Sequence, residues 1–143
     1  GWYRRQRQMC IRDSDMTGFE TPTELGLDFI IDGSKKHFRG KTAWEKKSQM
    51  PRHKIVGLTI DGLSPLHEHS FLYANGLPVG KITSHAVSAW LGKTIAIAQI
   101  KPELAVNGNQ ICVFEDSCYS VKSRKAIVCS RRFYSNFEKI TAI

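Results

Sequence analysis

The hydrophobic pattern changes character near residue 53. Beyond it, apolar residues fall in short blocks or at every second position, and glycine-containing turns separate the blocks. Ile55, Val56, Leu58 and Ile60 mark a strand over His53 to Ile60. Phe71-Leu72-Tyr73 marks another. In Val79 to Thr83, Val79, Lys81 and Thr83 alternate with Gly80, Ile82 and Ser84, so the two faces of this strand differ. Asn75-Gly76 between these two is a strong hairpin signal, because both central positions of a type I′ turn require positive φ. Thr94 to Ile100 is apolar enough for a strand buried on both faces, with Gly92 supplying a bend before it. Asn107-Gly108 predicts a further turn, leading into Gln110 to Phe114, and Ser120 to Ser130 forms the last strand region. His85 to Trp90 reads as a bridge between the third and fourth strands, with Trp90 as a packing lid or a ligand platform.

The preceding stretch is less regular. Pro22 fixes a turn or an extended segment. Leu27, Phe29 and Ile31 alternate with Asp28 and Ile30, which predicts a short strand ending at Asp32-Gly33-Ser34. Thr42 to Ser48 favours a short helix with Ala43 and Trp44 on its apolar face. Met50-Pro51-Arg52-His53 reads as a linker, since Pro51 blocks continuation of the helix.

Composition narrows the classes. The chain has 143 residues, enough for one domain or a small domain with part of another. No apolar run approaches the roughly 18–20 residues that span a bilayer, so no membrane partner is expected. The four cysteines, Cys10, Cys112, Cys118 and Cys129, fit no zinc spacing. Cys112 and Cys129 sit in strand-like runs and read as small core residues, with reduced thiols in a cytoplasmic protein. His67 and His69 flank Glu68, but no spacing supplies further metal ligands, and the pair reads as exposed loop histidines. Residues 1–14 are Arg-rich and show neither period. They resemble translated adapter read-through, or else a disordered basic arm, and carry no weight in the fold. Excluding them lowers the net charge from +8 to +5, a value that suits an anionic ligand without establishing nucleic-acid binding.

The order of motifs resembles the aminomethyltransferase family, which includes the glycine cleavage T-protein and the folate-binding halves of dimethylglycine and sarcosine dehydrogenases. Asn75-Gly76 followed by Val79-Gly80-Lys81-Ile82-Thr83-Ser84, then Leu91-Gly92-Lys93-Thr94-Ile95-Ala96-Ile97-Ala98, is similar to the family's C-terminal barrel. Arg52, Val56, Gly57 and Leu58 match the start of that barrel. Thr21-Pro22-Thr23-Glu24-Leu25-Gly26-Leu27-Asp28-Phe29 and Phe38-Arg39-Gly40-Lys41-Thr42-Ala43 are similar to the close of the first domain, read as a strand and then a helix. Asp28 departs from the small residue usual there. Of the family's ending, only Phe133-Tyr134 carries over.

The resemblance implies a mainly β chain: an antiparallel six- to seven-stranded barrel over residues 51–143, preceded by a strand–helix remnant of the folate-binding domain over residues 15–50. It implies a parent protein that transfers a one-carbon unit from an aminomethyl or N-methyl donor to tetrahydrofolate. That parent is either an aminomethyltransferase or a folate-linked demethylating dehydrogenase. Folate, a small amine donor and a lipoyl carrier protein are the implied partners, with FAD added if an oxidase domain lies upstream. The family's catalytic aspartate and pterin-binding glutamate precede Thr21 in its layout, so the chain is expected to be a piece of the parent and inactive alone. Lys35 lies nearest the family's basic slot and would meet the anionic folate tail, or be a solvated turn lysine. Phe29 would stack near the ligand or belong to a core strand, and Tyr134 is a further candidate.

Two other readings remain. A non-catalytic folate-binding relative that maintains iron–sulfur clusters would carry a Lys-Gly-Cys-Tyr-type motif, which is absent. A basic β-barrel binding nucleic acid would use Phe71, Tyr73 and Lys81 on one face. The apolar content of those strands argues instead for a core.

Overall fold

In the computed structural model, which describes residues 16, 18–66, 70–117 and 120–133, six antiparallel strands close on themselves. They are β1 (Lys54–Asp61), β2 (Phe71–Ala74), β3 (Leu77–Ser88), β4 (Lys93–Ile100), β5 (Gln110–Ser117) and β6 (Ser120–Cys129). Around the barrel they run β1-β4-β3-β2-β5-β6, and β6 pairs back onto β1 through Gly57↔Cys129 to Ile60↔Ala126. Closure leaves no free sheet edge.

Alternation places one face of each strand inside. Val56, Leu58 and Ile60 point inward from β1, Leu72 from β2, Val79 from β3, Ile111 and Val113 from β5, and Ala126 and Val128 from β6. β4 departs from its expected burial on both faces. Thr94, Ala96, Ala98 and Ile100 are buried, while Ile95 and Ile97 on the outer side are only half-buried. The inward alanines are small, which lets the narrow interior fill with the larger residues of β1 and β2. The Asn75-Gly76 turn is as expected, with φ of 51° and 77° and Ala74↔Leu77 closing the two-residue loop. β3 runs on through His85–Ser88, which the sequence suggested as a bridge. A register shift between Ile82 and Ser84 bends this strand, so its first part pairs with β2 and the rest continues along β4. Gly80 permits that crossing, because a Cβ there would lie 2.2 Å from the Gln99 carbonyl oxygen.

A polar plug seals one end. Arg124 Nη1 donates to Glu115 Oε1 at 3.2 Å, and Arg124 also donates to the carbonyls of Asp61, Gly62 and Ser64. The Thr94 hydroxyl faces the same loop, within donating distance of the Gly62 and Ser64 carbonyls. At the far end the 3-10 turn Pro102–Leu104 packs Leu104 and Ala105 against the core.

Two expectations fail here for a common reason: Cys112 and Cys129, which read as core residues, lie on the barrel's outer wall. Cys112 is exposed, and Cys129 is half-buried with its thiol pushed up by burial. Trp90 is 71% exposed at the β3–β4 turn, so it is no packing lid. His67, Glu68 and His69 lie outside the described residues, as do residues 1–14.

Candidate functional site

The predicted strand over Leu27 to Ile31 does not form. Residues 21–27 instead make one capped turn of helix. Thr21 N–H donates to Glu24 Oε2 at 2.8 Å, and Glu24 N–H donates to Thr21 Oγ1 at 3.3 Å. This is a reciprocal capping box, with Pro22 at the first helical position, where its missing N–H costs nothing. The turn then stops. Gly26, at φ 64°, donates to the Thr23 carbonyl, and Leu27 donates to the Pro22 carbonyl, completing a Schellman motif. A 3-10 turn, Asp28–Ile30, follows directly. Competing local hydrogen bonds on both sides of the motif therefore override the two-residue alternation.

Polar ties hold this turn to the barrel. Glu24 is 3% exposed. Its Oε1 accepts from Arg52 N–H at 2.9 Å and from Arg52 Nε at 3.2 Å. Burial is the largest single influence on this carboxyl and pushes it up. The bonds from the Thr21 and Arg52 backbone N–H groups and from both side chains together outweigh burial and bring it down to about 2. Ile55 N–H donates to the Glu24 carbonyl, and Arg131 donates to the carbonyls of Leu25 at 2.9 Å and Gly26 at 3.3 Å. Glu24 and Arg52 did not stand out as a pair in the sequence, being 28 residues apart. The Thr-x-x-Glu spacing was the available signal for half of it.

The implied ligand residues sit on the next loop. Phe29 is 81% exposed on the 3-10 turn, which overturns its reading as a core-strand aromatic. Lys35 is exposed and lines a cleft of ≈ 260 Å³ with Ile30, Ile31, Asp32 and Phe38. The loop carrying it is tightly held. Asp32 accepts from the Ser34 hydroxyl and Ser34 N–H, and these bonds keep its carboxyl below the usual range. Lys41 Nζ donates to the carbonyls of Lys35 at 2.6 Å and Gly33 at 3.3 Å. Lys41 begins helix α1 (Lys41–Ser48), which matches the helix expected from Thr42. Ala43 is exposed. Trp44 is half-buried against Gly33 and Phe38, and its indole N–H is enclosed with no partner among the described residues. Tyr134 lies outside the described residues.

On the barrel's outer wall, Phe71 is 53% exposed and opposite Lys81, while Tyr73 meets Phe114 edge-on at 4.9 Å. The aromatics thus face outward, contrary to their reading as core, and Tyr73 and Phe114 are already engaged with each other. Among the described residues, no three His, Cys, Asp or Glu side chains converge as a metal site, and no helix is long and apolar enough to cross a membrane.

Comparison with known proteins agrees with this geometry. Residues 53–135 match the glycine cleavage T-protein C-terminal barrel domain. An aminomethyltransferase from Thermosynechococcus vestitus is 34% identical over 134 residues, covering 92% of this chain and 35% of that protein. A 4-methylaminobutanoate oxidase (formaldehyde-forming) from Paenarthrobacter nicotinovorans is 32% identical over 123 residues, covering 84% of this chain and 14% of that one. A heme-dependent oxidative N-demethylase gamma subunit from Ectopseudomonas mendocina is 33% identical over 95 residues, or 66% of this chain and 25% of that one. The crystal structure of the glycine cleavage system aminomethyltransferase T from Bartonella henselae superposes with a TM-score of 0.72 at 22% identity, covering 84% of this chain and 34% of that chain. The chain thus spans about a third or less of the length of these relatives.

Proposed function

The chain belongs to the glycine cleavage T-protein family through that family's C-terminal barrel domain, and on that premise we propose that it works within a tetrahydrofolate-dependent protein that takes a one-carbon unit from an aminomethyl or N-methyl donor. Residues 51–143 are its barrel domain. Residues 15–50 are the closing part of the folate-binding domain.

The observation that carries the reading is the division between a filled barrel and an unfilled edge. Side chains from every strand meet in the interior as one buried cluster among the described residues. A ligand would bind instead against the 26–38 loop, where Lys35 lines a cleft and Phe29 stands clear of the core. A folate tail ends in carboxylates, and Lys35 offers an ammonium beside apolar Ile30, Ile31 and Phe38. Phe29 gives a flat face for an aromatic ring. Tyr134 remains a candidate through the resemblance of Phe133-Tyr134 to the family's ending. Asp32, the carboxylate of this cleft, is turned onto Ser34 rather than left free to act on an amine.

The relatives support two donors. Likeness to aminomethyltransferases favours an aminomethyl group borne by a lipoyl carrier protein. Likeness to the N-demethylase subunit and the methylaminobutanoate oxidase favours an N-methyl amine, and FAD would join only if an oxidase domain lies upstream.

Titration of the 143-residue chain with mono- and polyglutamyl tetrahydrofolate tests the reading. Tighter binding of the polyglutamate, weakened roughly three- to tenfold by Lys35→Glu, is expected, the size of one charge-assisted contact. Equal affinity of Lys35→Glu and the unaltered chain would remove Lys35 from the site. No one-carbon transfer is expected from the chain mixed with tetrahydrofolate and an N-methyl donor, and sustained turnover would refute the expectation that the chain is inactive alone.

A further inference from the structure

A second cleft, of ≈ 410 Å³, lies between the capped turn and the end of α1. Phe19, Thr21, Glu24, Lys47, Met50 and Arg52 line it, and it shares no residue with the cleft at Lys35. Its size falls within the range of small-molecule sites, roughly 300–1,000 Å³.

Its polar groups are sorted by sign. Both oxygens of Glu24 are occupied, Oε1 by Arg52 and Oε2 by Thr21 N–H, so the carboxylate has little left to offer a ligand. Arg52 spends Nε on Glu24 and Nη2 on the Phe19 carbonyl, while its Nη1 has no partner among the described residues. The side chain of Lys47, in the last turn of α1, likewise forms no ion pair or hydrogen bond among them, although its carbonyl accepts from Met50 N–H. The uncommitted charged donors are therefore both cationic, and such a pair selects an anion. The buried Glu24 holds the Arg52 guanidinium in place before any ligand arrives, which lowers the ordering cost of binding.

The walls have the opposite character. Phe19 is 83% exposed and Met50 is 84% exposed, and each borders the cleft. A ring and a flexible thioether chain together accept an apolar body of variable shape. We propose that this cleft binds a small carboxylate with an apolar tail, the carboxylate bridging Arg52 and Lys47 and the tail lying between Phe19 and Met50. The site is independent of the folate reading and needs no catalytic activity.

The probe is hexanoate, titrated into the 143-residue chain and followed by NMR, with hexylammonium and hexanol as matched controls. Hexanoate should shift the Met50 methyl, the Phe19 ring and Arg52 Nε–H together, and hexylammonium should shift none of them. Lys47→Glu should weaken hexanoate at least about fivefold without moving the thermal midpoint, and Lys47→Arg should retain binding. Hexanol binding as tightly as hexanoate would overturn the proposal, as would shifts spread over Lys35, Lys36 and Lys93. Absence of binding, or equal binding by Lys47→Glu, would also overturn it.

Discussion

Between Lys54 and Cys129, thirteen apolar side chains form one buried cluster, whereas between Phe19 and Met50 only Glu24 and Leu25 are buried among the described residues. In that earlier stretch Phe19, Phe29, Ile30 and Met50 remain 64–84% exposed. The barrel satisfies its backbone through a closed ladder and its apolar residues through a shared interior. The earlier stretch satisfies its backbone through a capping box, a Schellman motif and side-chain ties, and leaves Phe19, Phe29, Ile30 and Met50 without cover. The difference separates two sources of order. The barrel is held by burial, which is non-directional and cooperative. The earlier stretch is held by a few directional bonds to Glu24, Arg52 and Arg131, so its position depends on single groups.

Removing core volume should break both regions together. Leu58→Ala, at a fully buried position, is expected to cost about 3–4 kcal/mol, read as a lower urea midpoint. If the earlier stretch stayed ordered while the barrel unfolded, its dependence on the barrel would be disproved. Acid should act on the earlier stretch instead. The Glu24 carboxyl sits below its unfolded value, so its contribution is fully present above about pH 4.5 and is lost as pH falls toward about 2. The full shift corresponds to about 3 kcal/mol at most. Glu24→Gln should flatten this pH dependence and speed proteolysis near Thr21 at neutral pH, while the barrel's unfolding midpoint moves little. An unchanged acid profile in that variant would place the dependence elsewhere.

Two smaller effects sharpen the contrast. Asn75→Val puts a β-branched residue at φ 51° and should destabilise the barrel by about 1–2 kcal/mol in thermal unfolding. Phe29→Ser removes a ring that is 81% exposed and should change stability by no more than about 0.5 kcal/mol. A loss above 1 kcal/mol would mean that Phe29 packs inward after all.

Legibility followed the same division. Strand positions in the barrel were readable because inward and outward residues alternate, and Asn75-Gly76 and Asn107-Gly108 were readable as turns because few other residues accept positive φ. The alternation at Leu27, Phe29 and Ile31 misled, since the bonds to Pro22, Thr23 and Glu24 that bend the chain compete locally with strand pairing. Cys112 misled for another reason. An apolar residue in a strand-like run can face either side of a wall, and only the register decides which. Lys35 and Phe29 were nameable through resemblance. The side-by-side position of Glu24 and Arg52 was not, because nothing local links residues 28 apart.

The amino-acid order determined by itself where the chain would turn, which residues could fill an interior, and which family the motifs resemble, since each of these follows from local conformational preference and short-range spacing. Tertiary structure alone decided that β6 returns to β1, that Glu24 meets Arg52, and that Phe19 and Met50 flank two cations. Those outcomes require distant segments to meet. The free energy of such meetings belongs to the closed barrel as a whole rather than to any window of sequence.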